Sequence, residues 1–316
     1  MESPTSKPSL FLAKHNNFIG KMHEHPTTRG QTLITHPNPE LQSEKQPGPI
    51  TSLTPQTFLE LFTFSRRLSS AMSESLNVRR CALASDDTSI TLIPLHGIGG
   101  EWEEVLHAEE EFHGTYPGFL TSKTAPRMPT DELTRLRDQI AIVTGVKEPY
   151  DYDFQGEPSD NNLFARIVRG EIEQYRMYED SKHVGFLTPF ANTPGYTVLV
   201  PRVHLSSDIF SLEPHAYEDL VGAAYKLAGA LKIAFGVKRV GVFFEGFEID
   251  YAHVKLIPVW EGEEKISEEG EAKAGAPFYE AYPGYITTQW GPRERDVAKL
   301  EELAEEIRRA LEGVPK

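Results

Sequence analysis

The sequence predicts a protein of mixed strands and helices that is built from two similar units in tandem. Three observations carry this prediction: short runs of alternating polar and apolar residues, one long run per half with apolar residues at helical spacing, and a similarity between the two halves. A chain of 316 residues can form two domains of ordinary size. We expect these domains at residues 10–144 and 162–316, joined by a linker at 145–161 that is rich in Asp, Glu, Pro and Gly.

The first half opens with short strand-like runs, and a helix then follows. A helix is expected to begin at Thr54, which would act as the N-cap, with Pro55 at the first helical position. Its apolar face would consist of Phe58, Leu61, Phe62, Leu68 and Met72. The predicted strands are residues 10–13, 18–22, 31–35, 80–84 and 89–95. Surface helices at residues 129–144 and 293–311 are expected to close the first and the second unit.

The second half repeats this order of elements. Gly30 and Gly195 each stand in a turn before a strand, and Pro94 and Pro258 each end a strand, at almost the same separation along the chain. The two helix starts lie closer together than these pairs do, so the first half carries an insertion in the loop at residues 37–50. Because the register holds through two helices and four strands, the repeat indicates a gene duplication. The second helix would bury Tyr217, Leu220, Val221, Leu227 and Leu231.

Composition and charge exclude several classes of function. Lys and Arg total 32 against 47 Asp and Glu, a net charge of -15, which argues against a broad grip on nucleic acid. The single cysteine, Cys81, excludes an intrachain disulfide and fits a reducing compartment. No apolar run has the length of a membrane span, and residues 1–9 lack the pattern of a signal peptide. We therefore expect a cytoplasmic protein that binds neither nucleic acid nor membrane.

One alternating run near the end of the second half contains a histidine. Side chains on a strand point alternately to opposite faces, so Tyr251, His253 and Lys255 should share one side and could meet an anion together. The simpler interpretation is an amphipathic strand with an incidental surface histidine.

The first half lacks these three residues. The corresponding positions hold Asp87, Ser89 and Thr91, so the first copy keeps the strand without a nucleophile or a cation. Either one copy holds the frame while the other holds the chemistry, or both have lost function and His253 is a relic.

Several phrases of the second half, in the right order, resemble the histidine-triad (HIT) family. They lie at residues 162–172, 178–180, 193–195, 200–204, 211–212 and 252–258. The resemblance implies an α+β unit with an antiparallel sheet of about five strands, one long helix and a C-terminal helix. Such units normally pair so that their sheets join. In this chain the tandem copies, the first of them degenerate, would pair as an intramolecular pseudo-dimer, and a monomer is expected.

The resemblance also implies a chemistry. Family members bind a nucleotide, and the central histidine of the triad attacks the α-phosphorus; water or another acceptor then resolves the nucleotidyl-histidine. By position His253 is that nucleophile. Lys255 stands at the third triad position and would stabilise phosphate charge, while Tyr251 at the first would orient the nucleophile. The small-molecule partner would be a nucleotide or a related phosphate ester, and neither a metal nor another cofactor is implied.

The same resemblance identifies residues that would hold the substrate. Phe164, Ile167 and Phe186 match apolar positions of the base pocket, although plain core packing explains them equally well, and Thr188 stands where the family has an acidic ribose-binding residue. Residues 247–250 replace a glycine-rich segment and would bring two carboxylates beside the phosphate. The predicted function is a nucleotide hydrolase or nucleotidyl transferase. The alternative is a catalytically degenerate binding protein, or a pocket recruited to a non-nucleotide metabolite.

Other histidines and tryptophans are weaker candidates. His23 and His25 could form half of a metal site, but exposed loop histidines are the simpler interpretation. His204 matches a family position with an expected structural role, and Trp290 could cap a pocket.

Overall fold

The computed structural model describes residues 10–36, 48–262 and 275–314, so most of the predicted insertion loop lies outside the described residues. The described strands, in chain order, are β1 Phe11–His15, β2 Phe18–Met22, β3 Thr32–Thr35, β4 Cys81–Ser85, β5 Ser89–Pro94, β6 Tyr175–Glu179, β7 His183–Leu187, β8 Thr197–Pro201, β9 Val240–Phe244 and β10 Val254–Pro258. The described α-helices are α1 Pro55–Ser75, α2 Thr130–Thr144, α3 Leu163–Val168, α4 Pro214–Phe235 and α5 Val297–Gly313.

The ten strands form one antiparallel sheet in the order β1-β2-β3-β5-β4-β9-β10-β8-β7-β6. The order of β1 to β5 is thus repeated by β6 to β10, and the two halves of the chain meet at β4 and β9, where Ala84 pairs with Phe243. Next to this central pair, Thr91 lies opposite Ala84 and Lys255 lies opposite Phe243. Thr91 and Lys255 therefore occupy equivalent positions in the two halves of the sheet, as the repeat in the sequence predicts.

The long helices α1 and α4 pack on one face of this sheet and against each other. The Thr54 hydroxyl accepts a hydrogen bond from the Thr57 amide, and Pro55 begins α1, so the predicted helix start is confirmed. All ten apolar residues predicted for the inner faces of the two helices are buried. Within the described ranges, no helix has both the length and the apolar character needed to cross a membrane.

The two surface helices do not close their own halves. Helix α2, from the first half, packs against α4 and β6 of the second half, while α5, from the second half, packs against α1 and β1 of the first. Each helix buries one apolar side: Leu133, Leu136 and Ile140 in α2, and Leu300, Leu303, Ala304 and Ile307 in α5. The prediction that each helix closes its own unit is therefore wrong, because helical periodicity marks an inner face without indicating the surface that covers it.

The chain reaches these exchanged positions through two crossing segments, residues 119–125 and 285–289. Thr121 and Thr287 form an isolated antiparallel bridge between them. The Ser122 amide also donates to the Ile286 carbonyl at 3.0 Å. Each half of the chain consequently ends on the surface of the other half.

The connection at residues 145–161 is held along the second half by two buried arginines. Arg176 donates to the Asp151 carbonyl at 2.6 Å, and Arg202 donates to the carbonyls of Asp151 and Asp153 at 2.8 and 3.0 Å. Hydrogen bonds with a charged donor are among the stronger ones in proteins. The first part of the predicted linker is therefore fixed to the surface of the second half by hydrogen bonds.

Candidate active site

A cavity of about 360 Å³ lies between α3 and the end of β7, which belong to the second half, and the first crossing segment, which belongs to the first. Most of its wall is apolar, which is typical of a site for a small organic ligand. The structure brings six of the seven predicted site residues to this wall: Phe164, Ile167, Phe186, Thr188, His253 and Lys255. The side chain of Tyr251 does not line it.

His253 is held at the cavity in one tautomer. Its Nδ1 lies 2.7 Å from the Tyr251 carbonyl oxygen, which can only accept, so Nδ1 carries the proton and donates. Burial, followed by the charge of Lys255, lowers the pKa of His253 to about 4, so the ring is neutral at pH 7. Nε2 has no hydrogen-bond partner in the described part of the chain, and the Phe164 ring meets the imidazole edge-to-face at 5.3 Å. A neutral, oriented imidazole with a free lone pair is a competent nucleophile.

Lys255 is buried between two carboxylates. Its Nζ lies 3.0 Å from Glu245 Oε2 and 3.2 Å from Glu248 Oε2. Burial is the largest single influence and opposes the charge, but the attractions of Glu245, Tyr196 and Glu248 together outweigh it, and the pKa of Lys255 is raised well above its ordinary value. Glu245 also accepts from Ser122 Oγ at 2.9 Å and from the Tyr282 hydroxyl at 2.5 Å. The cation is therefore fixed in place, and Glu245 joins the first crossing segment and Tyr282 to the site.

Tyr251 contributes its backbone to the site, and its side chain packs edge-to-face against the Phe164 ring at 5.8 Å without reaching the cavity. The hydroxyl donates to the Pro201 carbonyl at 2.7 Å, and the ring stacks on His204 at 4.7 Å. Tyr251 and His253 both contact the Phe164 ring, whereas Ala252 and Val254 belong to the core on the other side, so Tyr251 lies on the predicted side of the chain. Its side chain packs behind the cavity wall, and its carbonyl oxygen accepts from the His253 ring.

The segment before the histidine leaves the cavity open. Phe247 is buried beneath the guanidinium of Arg80, which lies 4.4 Å from its ring, and it does not enter the cavity. The Asp250 carboxylate accepts from Ser207 Oγ at 2.7 Å outside the cavity. Ile249 and Glu248 reach the wall, so Glu248 is the one carboxylate of this segment that does, and the charge of Lys255 lowers its pKa. One of the two predicted carboxylates therefore stands beside His253.

The first half contributes a wall of the cavity that the sequence did not predict. Four of its residues line the cavity: Ser122, Lys123, Thr124 and Arg127. Asn192 of the second half holds this segment by donating to the carbonyls of Thr121 and Lys123 at 2.9 and 2.8 Å. The repeated Tyr-Pro-Gly turns at residues 116–118 and 282–284 mark both segments in the sequence, but they carry no signal that the segments exchange.

The weaker candidates take other positions. His204 bridges Asp160 Oδ2 at 2.6 Å and the Asp250 carbonyl at 2.7 Å, which gives it a bracing role. Trp290 is 60% exposed and stacks on His25 at 5.1 Å in the first half, away from the cavity. His23 is buried, and its Nδ1 accepts from the His25 amide. Over residues 10–36, 48–262 and 275–314, His, Cys, Asp and Glu form no group of three or more that could hold a metal ion.

Fold and site together define an α+β protein with a buried histidine at a largely apolar cavity. No protein-family model matches the chain. An uncharacterized HIT-like protein of Mesomycoplasma hyorhinis is 30% identical over 111 residues, which are 31% of this chain and 92% of that protein. Another, from Saccharolobus solfataricus, is 26% identical over 112 residues, 34% of this chain and 80% of its own. A solved structure described as a uridylyltransferase covers 100% of this chain and 94% of its own, at 13% identity and a TM-score of 0.47. By its sequence relatives, the chain belongs to the HIT family.

Proposed function

We propose that this protein is a nucleotide hydrolase or nucleotidyl transferase that acts at the α-phosphate of a nucleotide conjugate. The observation that carries the proposal is the state of His253: neutral, protonated on Nδ1 by its bond to the Tyr251 carbonyl, and with Nε2 free at the cavity. Family membership supports the same chemistry.

In the first step, Nε2 of His253 attacks the α-phosphorus and forms a P–N bond. The bond from phosphorus to the leaving group breaks, and the leaving group takes the electron pair. The ammonium of Lys255 stabilises the charge on the phosphate oxygens. In the second step an acceptor attacks phosphorus, the P–N bond breaks, and the electron pair returns to Nε2.

The apolar part of the cavity would hold the base of the nucleotide. Phe164, Ile167 and Phe186 line it, and the rings of Phe164 and Phe186 are 5.7 Å apart. Thr188 would meet the ribose from the cavity wall. A cavity of about 360 Å³ lies within the range usual for small-molecule sites.

The chain would act as an internal pseudo-dimer of two HIT-like units, residues 10–144 and 162–316, and as a monomer. The repeated strand order and the joining of both halves through β4 and β9 support this proposal. The second unit would carry the site, while the first supplies one wall of it.

A second candidate is a protein that binds a nucleotide, or a metabolite of another class, without turnover. It is favoured by the double engagement of Lys255 with Glu245 and Glu248, and by a Tyr251 hydroxyl that is already bonded to Pro201. Both features reduce the groups free to meet a phosphate.

One experiment separates the two candidates. Purified protein is given adenosine 5′-phosphoramidate, with AMP release followed by chromatography and AMP binding followed by calorimetry. We expect turnover that His253→Ala reduces at least about 10⁴-fold, as loss of a covalent nucleophile does. Ser89→Ala, at the equivalent position of the first half, is the matched control and should keep full activity. Binding without turnover would favour the second candidate, and equal activity of His253→Ala would refute the first.

A further inference from the structure

A second, smaller cavity of about 80 Å³ adjoins the first. Its own walls include Glu245, Tyr282 and His107, so it is built from both halves of the chain. The two cavities share five lining residues: Ser122, Lys123, Thr124, Glu248 and Lys255. His253 lines only the larger one.

The in-line geometry of displacement at phosphorus suggests a role for two adjoining cavities. A displacement at phosphorus runs in line, so the attacking and the leaving group stand on opposite sides. When His253 attacks, the leaving group departs away from the imidazole. In the second step the acceptor must approach from the side that the leaving group has vacated. A base for that acceptor therefore has to border both the nucleotide and the leaving-group space.

Glu248 meets this requirement. Among the five residues shared by the two cavities it is the only carboxylate, because the others are two lysines and two hydroxyl residues. Its Oε2 lies 3.2 Å from the Lys255 ammonium, whose charge keeps the carboxylate ionised and lowers its pKa. The same carboxylate interacts electrostatically with the His253 ring.

We propose that the smaller cavity is the leaving-group subsite and that Glu248 is the general base that activates water in the second step. The inference rests on the proposed function. The water oxygen forms a bond to phosphorus, and the proton of the water passes to a Glu248 carboxylate oxygen. The P–N bond breaks, its electron pair returns to His253 Nε2, and the mononucleotide leaves. Glu248 then releases the proton to solvent.

The charge of Glu248 also selects the acceptor. A carboxylate attracts the proton of a neutral hydroxyl, but it repels an anion at close range. Water or an alcohol is therefore the acceptor class, whereas inorganic phosphate is disfavoured.

Glu248→Gln tests the assignment with adenosine 5′-(4-nitrophenyl phosphate), whose leaving group needs no proton near neutral pH. We expect a burst of nitrophenolate equal to the enzyme concentration, then a steady rate about 100-fold below that of the unmodified protein. Intact mass spectrometry of Glu248→Gln after the burst should show one adenylyl group bound to the protein. The double variant Glu248→Gln/His253→Ala should carry none. Glu248→Asp should recover part of the rate. Asp250→Asn, which removes a carboxylate outside both cavities, is the matched control.

Three results would overturn the assignment. The first is a Glu248→Gln steady rate within about threefold of the unmodified protein. The second is loss of the burst together with the steady rate, which would place Glu248 in the first step or in folding. The third is inorganic phosphate outcompeting water in the unmodified protein, detected as ADP. Absence of both turnover and adduct in the unmodified protein would instead remove the proposed function itself, and the inference with it.

Discussion

The two halves of the molecule share a strand order but differ at the positions that correspond to the triad. In the second half, the position of His253 borders a cavity. In the first half, Asp87 stands where the second has Tyr251, and its carboxylate accepts from the Thr51 amide at 2.6 Å and from the Val240 amide at 3.0 Å. Asp87 adopts a φ of 76°, in the left-handed region. In the first half, the residue at the position of Tyr251 therefore links the two halves through hydrogen bonds.

The surroundings differ as well. In the second half α3 precedes β6 and covers one side of the cavity, whereas no helix precedes β1 among the residues that the structure describes. Phe11, at the start of β1, is 43% exposed. A helix and an exchanged segment thus close a space around the triad position of the second half, and the described part of the first half has no helix in the place of α3.

The largest effect is expected when the histidine and the lysine of the second half are introduced at the equivalent positions of the first. Ser89→His with Thr91→Lys, introduced together with His253→Ala, places a histidine and a lysine at the equivalent positions of the first half. We expect activity on adenosine 5′-phosphoramidate to stay at the level of His253→Ala alone, at least about 10⁴-fold below the unmodified protein. Recovery above about 1% would show that the first half still forms a site.

A smaller effect is expected on stability when the equivalent residues are compared directly. Lys255→Met leaves Glu245 and Glu248 without their cation, and breaking a buried pair in this way costs about 3–5 kcal/mol. Thr91→Met, the matched change in the first half, removes no charge and should cost clearly less. Urea unfolding of both variants at pH 7 measures the difference. Equal losses would mean that the ion pair is not what stabilises this part of the sheet.

The smallest effect concerns one buried histidine in each half. Burial is the main cause that lowers the pKa of both His23 and His253 to about 4. A lowered histidine pKa means that the folded state favours the neutral ring, so the associated stability is present above pH 6.5 and is lost as the pH falls towards 4. The acidic limb of kcat/KM should accordingly lie near pH 4.

Histidine NMR signals check this prediction. Both rings should titrate near pH 4 in the free protein, and AMP should perturb only His253. A limb or a midpoint near 6.5 for His253 would contradict the buried, neutral nucleophile.

Local patterns in the sequence predict much of the fold. The long helices, with the cap at Thr54 and their buried apolar faces, follow from periodicity over neighbouring residues, and so do most strands. The approach of His253 and Lys255 to one cavity follows from their spacing of two residues and from the family resemblance.

What escapes prediction depends on distant contacts. The Tyr251 side chain stays behind the cavity wall because its hydroxyl donates to the Pro201 carbonyl and its ring stacks on His204, contacts that no local pattern announces. Glu245, which fixes Lys255, also accepts hydrogen bonds from Ser122 and Tyr282, and these two residues come from segments far apart in the chain. No local pattern marks the exchange of α2 and α5, because a helix shows the same periodicity whichever half covers it.

The crossing segments have a consequence for how such a chain can change over generations. In a pair of identical subunits, every substitution appears on both sides, so a wall residue and a nucleophile cannot be lost from one side alone. When the two units are joined in one chain, each can change independently of the other. The first half has Ser89 at the position of His253, and yet it supplies Ser122, Lys123 and Thr124 to the neighbouring cavity. With the proposed chemistry at His253, selection on the second half would therefore act on these wall residues of the first half as well.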